Sequence, residues 1–258
     1  MMRRRATGRT MGKLKTVRLY ADIARQIGGQ ILADHYPMGT RLPSERELSE
    51  AFNVSRPTIR EALIALEVDG LVDIRMGSGV YVSAKTPRGG KFSAIGVGPF
   101  ELLEARRAIE GEACAIAATR VDAHDIKELK TLFDNLVAAG EDVEKAETFD
   151  HQFHISIARA TRNSAISGAV EALWQARLRS PQEKAMSQKA HRAGVGPRID
   201  EHFAIFEALA ARDPDLARGA MRAHLDKVLA ALIQATEVQE IAELDASLTA
   251  RRQRFGLA

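Results

Sequence analysis

Hydrophobic residues in the first third of the chain recur with helical spacing. Leucine and isoleucine stand four residues apart in the first segment, at Leu19, Ile23, Ile27 and Ile31. This spacing predicts a helix that packs on one side. Ser44 and Glu47 are three residues apart, as in a capping box, and predict the start of a second, short helix.

A third helix and a hairpin follow in the same segment. Ser55 can cap this helix, Pro57 suits its first turn because no hydrogen bond is lost there, and Gly70 ends it. Its core-facing positions are Ile59, Leu63 and Leu66. Two short strands are predicted at residues 71–74 and 80–82. Helices and hairpin in this order predict a winged helix-turn-helix.

The rest of the chain predicts helices. Residues 84–97 gather Gly, Pro, Ser and Lys without helical periodicity, which is typical of a linker. Amphipathic helical patterns then continue to about residue 238. The predicted fold is mainly α, with an N-terminal winged helix-turn-helix and a C-terminal all-α antiparallel helical bundle. Its predicted divisions are a first domain at 15–83, a linker at 84–97, the bundle at 98–238 and a C-terminal tail at 239–258.

Charge is distributed unevenly along the chain. Residues 1–83 carry 13 Lys and Arg against 9 Asp and Glu, a net +4, whereas residues 84–258 carry 24 against 25, a net −1. The basic N-terminal stretch is either a solubilising tail or an arm that contacts a polyanion. Cys114 is the single cysteine, and no apolar run reaches the roughly 18–20 residues of a membrane span. We therefore expect a cytoplasmic protein without a membrane partner.

The start of the third helix carries side chains suited to DNA. Polar residues are predicted to project from its first turns, where the helix dipole favours phosphate: Ser55, Arg56, Thr58 and Arg60. Arg46, at the start of the preceding helix, can reach the same groove. Arginine forks onto guanine O6 and N7 in the major groove. The alternative is that Arg56 and Arg60 only form surface ion pairs with Glu61 or Glu67.

The predicted bundle also carries side chains with metal-ligand spacing. Asp150 and His154 are spaced i, i+4 and project from one helix face. His202 and His224 lie on either side of a turn near residue 213, at matching heights of an antiparallel hairpin. One carboxylate and three imidazoles suit a divalent transition metal such as Zn²⁺, Ni²⁺, Mn²⁺ or Fe²⁺. The alternative is that these histidines are unrelated surface or core residues.

Such an ion would favour a particular class of ligand. Four protein donors leave one or two coordination positions for water, which a carboxylate or hydroxy acid can displace.

A metal-dependent enzyme would use the same positions to activate water, but no nearby Glu, His or Lys has the spacing of a general base. We therefore predict no catalytic residues. The third possible function, beside an acid-responsive protein and an enzyme, is that of a regulator whose signal is the metal itself.

One long stretch of the first segment resembles the winged-helix domain of the GntR family of bacterial transcription regulators, across residues 15–83. It reads LPSERELSEAFNVSRPTIREALIALEVDGLVDIRMGSGVYV. The resemblance implies DNA contacts at Arg46, Arg56, Thr58, Arg60 and Gly77, whereas Met76 departs from the more polar residues of the family's wing. It also implies a homodimer, most often a repressor. Because one winged helix reads too few base pairs for genomic specificity, we expect two on a pseudo-palindromic double-stranded operator.

Three later stretches, within residues 98–238, resemble the all-helical effector domain, or FCD domain, of the FadR-type branch of that family. They read ELLEARRAIEGEACAIAATR, FDHQFHISIARATRNS and EHFAIFEALAARDPDLARGAMRAHL. In metal-binding members a D-x-x-x-H pair and two later histidines ligate the ion, and the matching positions are Asp150, His154, His202 and His224. The resemblance implies that Arg106 helps to bind a small organic acid; the alternative is a surface salt bridge with Glu110. Further candidates for the same pocket are Trp174, which also suits the core, Arg177 and Arg179.

Within this branch, the runs RLYADIARQI, GPFELLEARRAIE and ALWQARLRSP resemble regulators of hexuronate and related sugar-acid catabolism. The resemblance implies an effector such as glucuronate, galacturonate or a derived sugar acid, bound at a divalent ion, with zinc the first choice. The sequence thus predicts a DNA-binding transcriptional regulator of sugar-acid catabolism and not an enzyme. The alternatives are a regulator of the same type that responds to another organic acid or to the metal.

Overall fold

The chain folds into a small N-terminal unit and a larger set of helices. The computed structural model describes residues 19–75, 78–90, 92, 96–192 and 199–236. In chain order, the elements are α1 (Leu19–Leu32), α2 (Glu45–Phe52), α3 (Arg56–Val68), β1 (Val72–Arg75), β2 (Gly79–Val82), a 3₁₀ turn (Arg88–Gly90), α4 (Pro99–Ala118), α5 (Ala123–Ala139), α6 (Val143–Ala160), α7 (Ser164–Arg179), α8 (Pro181–Arg192), α9 (Ile199–Ala210) and α10 (Pro214–Thr236). This is the mainly α architecture that the hydrophobic pattern predicts.

Helix caps fix the turn between α2 and α3. Ser44 Oγ accepts a hydrogen bond from the Glu47 N–H at 3.3 Å, and the Glu47 carboxylate accepts one from the Ser44 N–H at 2.8 Å. These two bonds confirm the capping box. Asn53 ends α2 with a left-handed backbone, and Ser55 caps α3 by accepting from the Thr58 N–H at 3.3 Å. The first turn of α3 therefore projects from the surface of the N-terminal unit.

The hydrophobic stripe of α1 packs against α3 and the hairpin. Ile23, Ile27 and Ile31 are buried, as their spacing predicts. The facing positions of α3 are buried too, at Ile59, Leu63 and Leu66. Leu19 is 52% exposed, so its assignment to the packed stripe is wrong. A helical side chain leans toward the N terminus, and the first residue of α1 therefore projects beyond the packed turns.

An antiparallel hairpin completes the winged helix-turn-helix. Val72 pairs with Val82, and Arg75 pairs with Gly79. β1 lies one residue later than predicted, and β2 begins one residue earlier. Gly70 has a φ of +74°, a left-handed conformation that lets the chain turn from α3 into β1. Residues 76 and 77, at the tip of the predicted wing, lie outside the described residues.

The C-terminal helices α4–α10 enclose a second hydrophobic core. α10 packs along α4, and α5, α6, α7 and α9 complete the bundle. Trp174 is fully buried, which places its ring in the core. Among the described residues, no helix has the length and apolar character needed to cross a bilayer. The predicted domain limits stay predictions, and the tail at 239–258 lies outside the described part of the chain.

Helix α3 is joined to the bundle by a carboxylate cap. Helix α4 begins at Pro99 after Gly98, which has no side chain to accept the first N–H groups of the helix. Glu61 of α3 supplies this acceptor, because its Oε1 accepts hydrogen bonds from the Phe100 N–H at 2.7 Å and the Glu101 N–H at 3.4 Å. A Cβ at position 98 would come within 2.6 Å of that oxygen. A larger residue at position 98 would therefore have to displace the Glu61 carboxyl.

Further contacts hold α3 against the bundle. The Lys189 ammonium of α8 lies 2.7 Å from the Glu67 carboxylate of α3. Arg60 Nη1 donates to the Ile233 carbonyl of α10 at 3.4 Å, and Ile64 packs into the core of the bundle. Successive turns of α3 thus contact α10, α4 and α8.

We predict that Glu61→Gln makes stability less dependent on pH. Burial raises the pKa of the Glu61 carboxyl to about 7, against the opposing effect of the hydrogen bonds from Phe100 and Glu101. In the folded protein, the pKa of Glu61 exceeds its ordinary value of 4.5. The protonated Glu61 carboxyl therefore contributes its full stabilisation below pH 4.5, and this stabilisation is lost as pH rises through about 7. The amide does not titrate. Over this interval the variant should gain up to about 3 kcal/mol in unfolding free energy relative to the wild type.

Thermal unfolding at a series of pH values measures this difference. Glu128→Gln, an exposed change on α5, serves as the matched control and should show no such trend. If the stability difference between Glu61→Gln and the wild type is the same at pH 4.5 and pH 8, the buried junction does not titrate as described.

Candidate functional site

Four potential metal ligands converge inside the bundle. Helix α6 carries Asp150 and His154 one turn apart, α9 carries His202, and α10 carries His224. One carboxylate or ring-nitrogen atom from each of these residues lies within 4.8 Å of the others. The three imidazoles are buried. The structure therefore brings together the whole set that the sequence nominated.

The helical hairpin explains how two distant histidines meet. Helix α9 ends at Ala210 and α10 begins at Pro214, so the two helices run antiparallel across a short turn. Asp213 Oδ1 accepts hydrogen bonds from the Asp215 and Leu216 N–H groups at 3.0 Å and caps α10. The centroids of the His202 and His224 rings are 4.5 Å apart.

Two glutamates orient the outer nitrogens of this cluster. His154 Nδ1 donates to Glu110 Oε2 at 2.5 Å, and His224 Nδ1 donates to Glu201 Oε2 at 3.1 Å. Each bond fixes the tautomer that leaves Nε2 as the ligating atom, which is how metal-binding histidines are commonly held. Sequence spacing carries no separate signal for these roles, because Glu110 is predicted only as a partner of Arg106 and Glu201 merely adjoins His202.

The contacts inside the cluster fit a divalent cation. His154 Nε2 is buried and makes no hydrogen bond to any described residue, although it lies 3.5 Å from Asp150 Oδ1. His202 Nε2 lies 2.8 Å from the same oxygen, a gap that a proton or a cation can bridge. Nitrogen and oxygen donors of this kind bind zinc and its neighbours among the transition metals.

The protonation states of Asp150 and His224 favour metal binding. Burial would lower the pKa of His154, but Glu110 and Asp150 raise it, so an ion must displace a proton there. Burial would raise the pKa of the Asp150 carboxyl, but its interactions with His154 and His202 hold that pKa well below the usual range. Burial lowers the pKa of His224 to about 4, against the effect of Glu201. An ionised carboxylate and a neutral imidazole are the forms that ligate a metal.

The cluster opens into a cavity of about 620 Å³. Its wall includes Asp150, His202 and His224 together with the cations Arg106, Arg177 and Lys227. The same wall carries more carboxylates than cations, at Glu141, Glu147, Asp150, Glu183 and Glu201. The cavity is therefore mixed in charge, and its three cations are the groups that can pair with an anionic small molecule.

Arg106 is the most deeply buried of these cations. Its Nε donates to Glu110 Oε1 at 2.6 Å, and its guanidinium carbon lies 4.0 Å from the centre of the Trp174 ring. Arg106 and Glu110 do form the salt bridge that the sequence offers as an alternative to effector binding. The pair is buried, however, and the Arg106 side chain still lines the cavity. Arg177 lines the cavity too, whereas Arg179 is exposed and outside the cavity wall.

The side chains nominated for DNA binding occupy different environments. Arg46, Ser55 and Arg56 are exposed and Thr58 is partly buried. Arg46 Nη1 donates to Glu50 at 3.0 Å, and the Ser55 and Thr58 hydroxyls are 2.8 Å apart at the start of α3. Gly77 lies outside the described residues.

Arg60 differs from the expected exposed position. It is 3% exposed and donates to Glu45 through Nε at 2.9 Å and through Nη2 at 2.5 Å. Glu45 is itself buried in the first turn of α2, and a buried carboxylate needs a charged partner. Spacing along α3 could not predict this pairing, because Glu45 belongs to another helix.

Comparisons with known proteins match both halves of the chain. The family model described as bacterial regulatory proteins, gntR family, matches residues 19–82, and the FCD domain model matches residues 101–227. The Exu regulon transcriptional regulator of Escherichia coli K12 is 37% identical over 224 residues, covering 85% of this chain and 86% of that protein. The Uxu operon regulator of Haemophilus influenzae is 33% identical, covering 86% of this chain and 85% of that protein. A solved structure of Streptococcus agalactiae GntR is 26% identical, covers 82% of this chain and 99% of that chain, and has a TM-score of 0.42.

We predict that replacing any one histidine of the cluster releases the metal. Wild-type protein loaded with Zn²⁺ and then desalted should retain about one ion per chain, because clustered imidazole and carboxylate ligands bind tightly at neutral pH. His154→Ala, His202→Ala and His224→Ala each remove one ligand and should retain much less. Plasma mass spectrometry of the desalted proteins measures the ratio.

His35→Ala is the control, since His35 lies between α1 and α2, in the N-terminal unit. It should retain as much zinc as the wild type. Metal retention by the three cluster variants at the wild-type level would show that the ion binds elsewhere.

Proposed function

Because the chain belongs to the GntR family of bacterial regulatory proteins and carries an FCD domain, we propose that it regulates sugar-acid catabolism, as a repressor. The observation that carries this proposal is the cluster of Asp150, His154, His202 and His224, open to a cavity beside Arg106. Its relatives include proteins named as Exu and Uxu regulators. We propose a hexuronate as the effector.

The exposed start of α3 is the proposed DNA-reading surface. Arg56 stands at the first helical position, where its guanidinium can fork onto a guanine edge. Arg46 and the Ser55 hydroxyl flank it and are suited to phosphate contacts. Thr58 and Gly77 belong to the same proposed surface. Arg60 joins it only when its ion pair with Glu45 opens, so Arg60 should contribute less than Arg56.

Two copies of the chain are proposed to act together. A single winged helix contacts only a few base pairs, and a pair related by two-fold symmetry reads a pseudo-palindrome. We therefore propose a homodimer on a double-stranded operator. The specificity then comes from both half-sites and from the spacing between them.

The cluster and Arg106 are proposed to bind the acid from two sides. Asp150 and the three histidines would hold a divalent ion, with zinc preferred, and that ion supplies a position for a ligand oxygen. Arg106 has its Nε occupied by Glu110, and its remaining N–H groups are placed to orient the carboxylate by forked hydrogen bonds. The buried Glu110 fixes both Arg106 and His154, so it aligns the two halves of the site.

Two helices connect the cavity with α3. Helix α4 carries Arg106 and Glu110, and its N terminus is capped by Glu61 of α3. Helix α8 lines the cavity and pairs with α3 through Lys189 and Glu67. We propose that the acid displaces these helices and so changes the placement of α3 on DNA.

The DNA-reading surface is tested by Arg56→Ala. Loss of one forked base contact should weaken operator binding by about 1–3 kcal/mol without changing the fold. Fluorescence anisotropy on a duplex that the wild type selects from a random-sequence pool measures the affinity. Arg107→Ala, an exposed arginine of α4 that pairs with Asp226, should bind as the wild type does. Equal affinity for Arg56→Ala and the wild type would remove Arg56 from the interface.

The effector is tested by adding D-galacturonate or D-glucuronate to the operator complex. The zinc-loaded wild type should lose about tenfold or more in operator affinity, within the usual range of allosteric coupling. His202→Ala should bind DNA much as the wild type does and lose the response, because the winged helix has its own core. If zinc alone changes operator affinity and the acids add nothing, the metal is the signal.

A further inference from the structure

A second polar group lines the cavity beside the candidate metal ligands. It consists of Glu147 on α6, Arg177 on α7, and Glu183 and Ser187 on α8. The Ser187 hydroxyl donates to Glu147 Oε1 at 2.9 Å, and Arg177 Nη2 lies 3.7 Å from the same oxygen. These contacts leave Glu183 as the least paired member of the group.

Glu183 is buried without a close donor. The residue is 4% exposed, and its nearest cationic atom is Arg177 Nε at 3.9 Å, which exceeds hydrogen-bond distance. Within the described part of the chain, its carboxyl makes no hydrogen bond, although its backbone N–H donates to Ser180 Oγ. Burial raises the pKa of this carboxyl, while the charges of Arg177 and Arg106 oppose the rise. Because Glu183 lines the cavity, water or a ligand hydroxyl can fill the acceptor sites that the protein leaves open.

The chemistry of that partner follows from the residues around it. In the proposed site, Arg106 and the divalent ion would bind the carboxylate of the ligand. A second ligand carboxylate beside Glu183 would meet like charge. Hydroxyl groups instead donate to carboxylate oxygens and accept from guanidinium. We propose that Glu183, assisted by Arg177, binds hydroxyl groups of the acid and selects sugar acids over acids that lack them. This assignment rests on the proposed function of the cavity.

The selection of sugar acids depends on the Glu183 carboxyl oxygens, which accept no hydrogen bond from the described residues. A sugar acid satisfies Glu183, whereas an apolar acid of the same size covers the carboxyl and leaves it without water or a partner. A site built to bind a ligand hydroxyl rejects the analogue that lacks it strongly for this reason. Glu183 is therefore a specificity-determining residue, and it is separate from the groups that bind the carboxylate.

The test compares two acids on the zinc-loaded, full-length protein. D-Galacturonate carries ring hydroxyls, and cyclohexanecarboxylate has a similar ring without them. The variants are Glu183→Leu, which removes the acceptors, and Glu183→Gln, which keeps one. The control is Glu144→Gln, an exposed change on α6. Trp174, the single tryptophan, lies next to Arg106 and Arg177, so its fluorescence reports binding alongside calorimetry.

We expect the wild type and Glu144→Gln to bind galacturonate at least about a hundredfold more tightly than cyclohexanecarboxylate. Glu183→Leu should lose at least about tenfold in galacturonate affinity while cyclohexanecarboxylate binds equally well or better. Glu183→Gln should lie between them, and all variants should keep their zinc. Retention of zinc by Glu183→Leu would show that this variant has folded around an intact cluster.

The outcomes separate the two proposals. If the wild type binds neither acid, the proposed effector class is wrong and the assignment of Glu183 falls with it. If the wild type binds galacturonate and Glu183→Leu binds it equally tightly, only the assignment of Glu183 is overturned. A parallel loss of both acids in Glu183→Leu would also overturn it, because the residue would then shape the cavity without reading hydroxyls.

Discussion

The proposed function depends on the convergence of Asp150 with three imidazoles in the interior of the bundle. Buried polar atoms need partners, and here one carboxylate oxygen is shared between His154 and His202 while His154 Nε2 makes no hydrogen bond among the described residues. A divalent ion would supply the missing partner. Because the candidate ligands come from α6, α9 and α10, an ion held there would link helices that are far apart in sequence.

Glu110 extends that constraint to a fourth helix and beyond. It binds His154 with one oxygen and Arg106 with the other, so α4 is fixed relative to the cluster. The same helix begins against Glu61 of α3, a carboxylate that replaces the missing side-chain cap at Gly98. Helix α4 therefore connects the cluster with α3, which carries the proposed DNA-reading surface.

Local spacing predicted a large part of this architecture. The capping box at Ser44, the i, i+4 pair on α6 and the helical hairpin each depend on residues close in sequence, and helical geometry fixes their relative directions. Spacing could not show which helices pack together. Arg60 was expected on an exposed face, yet Glu45 of α2 holds it in the interior. Two further roles likewise emerge only from tertiary packing. Glu201 is the partner of His224, and the buried Glu183 carboxyl makes no hydrogen bond within the described part of the chain.

The central claim is that the acid-binding cluster and the DNA-reading surface are thermodynamically linked. Linkage is reciprocal, so the acid and the operator must each weaken the binding of the other by the same factor. The most direct measurement is a calorimetric titration of D-galacturonate into the zinc-loaded protein, with and without saturating operator DNA. We predict weaker acid binding in the presence of operator, by the same factor that the acid takes from operator binding. Equal acid affinity in both titrations would contradict the account, and the cluster would then hold the bundle together without controlling DNA binding.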